Sequence, residues 1–147
     1  LTYAGAKLSI HDDYIEVNTS HLSGFDFDAT HCPDLFPPLV ALASHCIGET
    51  KILGVSRLRA KESDRAATLL AEFRKMGVEI NIKGDLLIIN GGSIHSAQVN
   101  AHGDHRIAMA AAVAALVGKG IVEIDGAESV AKSYPRFFED LNRLTSE

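Results

Sequence analysis

Four charges crowd into five residues at Lys61-Glu62-Ser63-Asp64-Arg65, just ahead of an apolar, helix-like run. A second cluster, Asp104-His105-Arg106, opens another such run, and Asp34 and Lys132 stand ahead of two more. These residues offer two kinds of chemistry. Lys61, Arg65, Arg106 and Lys132 are cations for phosphate or carboxylate; a guanidinium grips an anion through two N–H groups, and an ammonium can also titrate and donate. Asp34, Glu62 and His105 can take up and return protons. Each also has an ordinary role. Asp34 and Asp104 are good helix N-caps, and Arg65 beside Glu62 or Asp64 suits a surface ion pair worth about 0–1 kcal/mol. His105 alone suits a satisfied core residue, and Lys132 a solvated lysine. A shared site therefore depends on whether the fold brings these helix starts together.

The elements that must do so are legible from periodicity. Leu8 to Ile10 and Tyr14 to Val17 read as a strand, a turn and a strand, followed by a short strand over Phe25 to Asp28. A helix from about Asp34 to His45 tolerates Pro37 and Pro38 because first-turn N–H groups lack helical partners anyway. Gly48 closes it, and Lys51 to Val55 reads as a strand. The next helix, about Asp64 to Met76, has Ser63 as expected N-cap and Gly77 as C′ residue. Its Ala66, Leu69, Leu70, Phe73 and Met76 form one buried stripe at helical spacing. Val78 to Ile82 and Leu86 to Ile89 read as a hairpin.

The second half answers the first. Val99 to His102 takes the place of the strand before Asp34, "GDHRIAMAAAVAALVGKG" the place of "CPDLFPPLVALASHCIGE", and Lys132 the place of Lys61. A fourth helix is expected after Lys132, with Ser133 as N-cap and Pro135 just inside. This internal repeat predicts one domain of two stacked α/β units, sheets inside and helices outside or between. It also sets the polar helix starts at one end, where N-terminal N–H groups and partial positive charge favour anions. Asp34 matches Asp104 in this alignment, so both are expected to stand at that end.

Composition narrows the rest. The chain has 147 residues, 46% hydrophobic and 22% charged, which suffices for a real core in one globular unit. A net charge of −5 gives no basic footprint for nucleic acid. Two cysteines, Cys32 and Cys46, make no disulfide framework and favour a reducing, cytoplasmic setting. The run from Ile107 to Val117 is too short to span a bilayer, no signal peptide is evident, and the sequon at Asn18-Thr19-Ser20 stands alone. "His-Cys" occurs at 31–32 and 45–46, but a helix between them sets the pairs roughly 20 Å apart, which excludes one shared zinc. "VGKG" at 117–120 lacks the rest of a phosphate loop and reads as a turn. No metal or cofactor is expected. Leu1 falls on strand-like residues, so the chain is expected to be a piece of a longer polypeptide.

"RAKESDRAATLLAEFRKMGVEI", "GDHRIAMAAAVAAL" and "AKSYPRFFEDLNRL", in this order, resemble the C-terminal third of the EPSP synthase (5-enolpyruvylshikimate-3-phosphate synthase) family, from about Phe25 to the end. Ser63 stands where many members carry threonine, and Gly103 where many carry asparagine. The resemblance implies an α/β (α+β) fold of repeated β-α-β-α-β-β units, the enolpyruvyl transferase inside-out barrel. This chain would be a partial domain, with unit one at about 25–90, unit two at about 97–147, and the other domain absent. It further implies transfer of the enolpyruvyl group of phosphoenolpyruvate to the 5-hydroxyl of shikimate 3-phosphate, with release of phosphate. Glyphosate is then an expected inhibitor of the longer protein, and no nucleic acid or membrane is an expected partner.

The roles implied are as follows. Asp34 binds the shikimate hydroxyls and acts as base, and Lys61 contacts the same ring. Glu62 passes the proton at the methylene carbon. Arg65 and Arg106 hold the phosphoenolpyruvate carboxylate. Lys132 meets its phosphate, His105 supports that end, and Asp104 caps and orients. Two other readings stay open: a UDP-N-acetylglucosamine enolpyruvyl transferase-like enzyme, and a non-catalytic anion-binding module of the same fold.

Overall fold

The computed structural model describes residues 1–58 and 64–146. The expected N-cap Ser63, with Lys61 and Glu62, lies outside the described residues. Lys7–Ile10 (β1) and Ile15–Asn18 (β2) pair antiparallel, Leu8 opposite Val17 and Ile10 opposite Ile15. The first unit then runs β3 (Asp26–Asp28), a 3-10 turn (Pro33–Leu35), α1 (Phe36–Ala43) and β4 (Glu49–Leu53). Strands β3 and β4 are parallel, with α1 crossing between them. After α2 (Arg65–Lys75), the hairpin β5 (Glu79–Lys83) and β6 (Leu86–Asn90) completes a sheet of order β3-β4-β6-β5. Ile52, Ile80, Leu87 and Ile89 alternate onto its buried face.

The second unit repeats the crossover. β7 (His95–Asn100), α3 (His105–Ala115) and β8 (Lys119–Asp125) form a parallel pair around a helix. A 3-10 turn (Ala127–Lys132) and α4 (Phe137–Thr145) follow. The repeat extends to single bonds: Ala29 donates to the Leu53 carbonyl at 2.9 Å, and Ala101 to the Asp125 carbonyl at 2.8 Å.

Several boundaries differ from expectation. Helix α2 is capped by Asp64, whose carboxylate accepts from the Ala67 amide. Gly77, at φ 88°, ends the helix as expected, with Arg74 and Lys75 in the last turn beside its negative pole. Strand β7 stops at Asn100 instead of His102, because His102 (φ 52°) and Gly103 (φ 70°) take left-handed conformations that turn the chain. Lys119 and Gly120 belong to β8, so only the start of "VGKG" is a turn. Ser133 closes the turn before α4, its amide and that of Tyr134 both bonded to the Val130 carbonyl; α4 begins at Phe137 with Arg136 as cap.

The layering is the reverse of sheets inside. α3 is buried on two faces. Ile107, Ala110, Ala111 and Ala114 enter the main core, while Ala108 and Ala112 meet Val130 and Phe137 in a second one. Helix α1 packs on α3, and the sheets lie around them with their outer faces exposed. An ordinary amphipathic surface helix buries a stripe of about 100°, and α3 buries far more. That is why its sequence reads as nearly unbroken alanine. No helix among the described residues is long and apolar enough to cross a membrane.

Candidate active site

The N-termini of α1, α2 and α3 meet through side chains. Arg65, the first residue of α2, is fully buried; its Nε donates to Asp104 Oδ2 at 2.8 Å and its Nη1 to Asp34 Oδ1 at 2.9 Å. The other Asp34 oxygen, Oδ2, accepts from Arg106 Nη2 at 3.2 Å. Asp104 Oδ1 accepts from the Arg106 backbone amide at 3.0 Å, so Asp104 both caps α3 and anchors Arg65. Lys132 Nζ donates to the Gly103 carbonyl at 2.7 Å, one residue before that cap. Asp34, Arg65, Asp104, Arg106 and Lys132 thus form one connected set, with His105 beside them in the chain. Lys61 and Glu62 lie outside the described residues.

Two expected simple roles fail here. Asp34 caps no helix: the cap position of α1 falls to Leu35, with no side-chain bond, and Asp34 sits inside the Pro33–Leu35 turn. The first unit spends an extra 3-10 turn where the second spends an aspartate cap, and this frees the Asp34 carboxylate to reach across to two arginines. Arg65 is no surface ion pair either. Its side chain and that of Asp104 are both 0% exposed, so breaking the pair leaves a buried charge, which typically costs about 3–5 kcal/mol.

Asp34 and Arg106 remain half-open, with side chains 46% and 36% exposed. Together Arg65, Arg106 and Lys132 bring three cations against the two carboxylates of Asp34 and Asp104, at the positive end of α3. Among the described residues, this surplus of positive charge and the N-terminal dipole favour an anion at the start of α3. Two buried polar atoms in the first turn of α3 lack partners among the described residues: Nδ1 of His105 and Nε of Arg106. An unsatisfied buried donor or acceptor costs about 1–3 kcal/mol and persists where function needs the group. An anion meeting Arg106 would compete with Asp34 for its guanidinium. An anion meeting Arg65 would have to displace an acceptor from a side chain with no exposed surface.

Sequence reasoning passed over the support beneath this set. Glu72 lies two turns after Arg65 on the same face of α2 and is 2% exposed. Burial raises its pKa, but hydrogen bonds from Lys75, His102 and the Asn100 amide, with the charge of Lys75, outweigh this and hold the carboxyl below its ordinary value. The signal was available, since Glu72 falls at i+3 from Leu69, inside the apolar stripe, where a carboxylate must find partners.

The family model for EPSP synthase (3-phosphoshikimate 1-carboxyvinyltransferase) matches residues 1–141. The match therefore takes in the β1–β2 hairpin, ahead of the Phe25 start expected from the motifs. A 3-phosphoshikimate 1-carboxyvinyltransferase of Clostridium kluyveri is 45% identical over 145 residues, covering 97% of this chain and 34% of the relative. One from Pyrococcus furiosus is 40% identical, covering 95% and 34%. Among solved structures, EPSP synthase from Acinetobacter baumannii superposes with a TM-score of 0.87 at 31% identity, over 97% of this chain and 37% of that one. The enolpyruvyl transferase NikO from Streptomyces tendae, at 20% identity and a TM-score of 0.74, shares the fold. The chain spans about a third of the length of the curated relatives it matches. Sequence, fold and the paired crossovers agree on one lineage, and the chain belongs to the EPSP synthase family.

Proposed function

We propose that this chain supplies one wall of the active site of an enzyme that transfers the enolpyruvyl group of phosphoenolpyruvate to the 5-hydroxyl of shikimate 3-phosphate. The observation that carries the proposal is the convergence of Arg65 and Arg106 on Asp34, with Lys132 resting on the adjoining Gly103 carbonyl. Phosphoenolpyruvate presents a carboxylate and a phosphate. Arg106, and Arg65 once an acceptor gives way, suit the carboxylate by their planar donors, and Lys132 suits the phosphate, helping it leave. His105 supports that end. Asp34, held between two guanidiniums, reaches the shikimate hydroxyls together with Lys61 and takes the proton of the attacking oxygen. Glu62 delivers a proton to the methylene carbon and recovers it during elimination. Glyphosate, with its phosphonate and carboxylate, competes for the same cations. We place the enzyme in the cytoplasm, where the free thiols of Cys32 and Cys46 stay reduced.

The test measures phosphate release by the chain within its full-length polypeptide, given phosphoenolpyruvate and either shikimate 3-phosphate or UDP-N-acetylglucosamine. Release with shikimate 3-phosphate alone is expected. Arg106→Ala should raise KM for phosphoenolpyruvate, while Glu62→Gln should depress kcat more than affinity, because it removes a proton and not a contact. Release with the nucleotide sugar instead, or an unchanged kcat in Glu62→Gln, overturns the assignment.

A further inference from the structure

We propose that Glu72 is a positioning residue for the anion site: from the middle of α2 its carboxylate holds the Asn100–Asp104 turn, on which Lys132, Asp104 and Arg106 depend. The inference rests on the reading of Arg106 and Lys132 as anion ligands. Glu72 Oε2 accepts from the Asn100 backbone amide at 2.9 Å and from Lys75 Nζ at 2.7 Å, and Oε1 lies 3.0 Å from His102 Nε2. Helix α2 therefore grips the turn at two points. Glu72 takes its entry, at Asn100 and His102, and Arg65 takes its exit, at Asp104. Seven residues separate the two grips, about 10 Å along the helix axis.

The turn needs holding. His102 is the one non-glycine among the described residues with positive φ, and Gly103 follows it in the same region. Such a conformation typically costs about 1–3 kcal/mol at a non-glycine and persists where neighbours over-determine it. The Asn100 side chain, which accepts from the His102 amide at 2.6 Å, and Glu72 on the ring do so together. The tip of this turn is the Gly103 carbonyl, which takes Lys132 at 2.7 Å. Release of Glu72 lets the tip relax and displaces the Lys132 ammonium that rests on it. Lys75, half-exposed, shares Glu72 Oε2 with the Asn100 amide and touches nothing in the turn in the described contacts.

The experiment follows amide exchange at Asn100 and the Gly103 amide and Lys132 side-chain NMR signals in Glu72→Gln, His102→Asn and Lys75→Ala, then titrates each with phosphoenolpyruvate. Glu72→Gln keeps the volume but presents an amide donor where the acceptor stood. His102→Asn tolerates the left-handed backbone, removes only the ring contact, and serves if Glu72→Gln does not fold. Both should shift the Gly103 and Lys132 signals, with faster exchange at Asn100 in Glu72→Gln, and weaken phosphoenolpyruvate binding about ten- to a hundredfold, the scale of loss from a misplacement of about 1 Å. Lys75→Ala should lower the melting temperature, since it leaves the buried Glu72 carboxylate one partner short, yet leave the turn signals and the affinity within about twofold, since Lys75 touches Glu72 and not the turn in the described contacts. Unmoved Gly103 and Lys132 signals in both turn variants overturn the positioning role. So does Lys75→Ala weakening binding as much as Glu72→Gln, which would mark a general loss of stability. If wild type does not respond to phosphoenolpyruvate, the substrate reading fails, while the ligand-free turn signals still decide the role of Glu72.

Discussion

Arg65 carries more of the site than its charge suggests. It joins the first helix turn of one unit to the cap of the next, because Asp104 belongs to α3 and Asp34 to the turn before α1. A guanidinium suits this place, since its planar fork aims separate donors at two carboxylates in fixed directions, as the rotatable donors of a lysine do not. Arg65→Ala should lower stability by about 3–5 kcal/mol, because the Asp104 carboxylate would stay buried without a counter-charge. Asp104→Asn separates the two duties of Asp104. Asparagine caps as well as aspartate, so any loss beyond a few tenths of a kcal/mol belongs to the pair with Arg65. Urea melts of the two variants measure both terms. Equal stability of wild type and Arg65→Ala would show that the pair does not hold these helices.

At the scale of elements, α3 explains why the sheets lie outside. A helix flanked closely on two faces needs small side chains, so that its neighbours approach, and Ala108, Ala110, Ala111, Ala112 and Ala114 provide them. Ala111 is 1% exposed and faces the main core, whereas Val113 on the same helix is 40% exposed. Ala111→Leu should therefore cost about 1–3 kcal/mol by overpacking. Val113→Leu should stay within about 0.5 kcal/mol. Thermal melts of the two check this contrast, and a neutral Ala111→Leu would mean that the inner face of α3 is loosely packed. The first unit solves the same entry differently, with a 3-10 turn before α1. With that extra turn the helix goes without a side-chain cap, and Asp34 bridges two arginines.

At the scale of the molecule, the two units share α3 and so need not borrow a core from elsewhere. A circular dichroism melt of the chain alone should show one cooperative transition. Turnover should be absent. Asp34 and Lys61 are the proposed contacts to shikimate 3-phosphate here, and the chain spans about a third of its relatives' length. Without an opposing wall, nothing fixes two substrates in attack geometry, a contribution of about 7–11 kcal/mol. Water also weakens charged contacts in an open half-site. Phosphate release by the isolated chain at high concentrations of both substrates would overturn this account, and a non-cooperative melt would overturn the independent core.

The sequence by itself determined the order of elements, the hairpins, the repeat and the family motifs. Each of these is written locally: alternation in Ile80 to Ile89, the i, i+3, i+4, i+7 stripe of α2, and glycine at Gly77. It also marked Asp34, Arg65, Arg106 and Lys132 as residues for a common end. Only the tertiary structure decided which carboxylate meets which cation. Asp34 and Asp104 occupy matching places in the repeat, yet one bridges two arginines and the other is buried as a cap, since the turn lengths ahead of their helices differ. Only the fold showed that helices, not sheets, fill the centre, because the number of flanked faces on α3 depends on long-range packing. The spacing of α2 could flag Glu72 as a buried carboxylate, but its partners Asn100 and His102 lie in the other unit, and nothing in the α2 sequence names them.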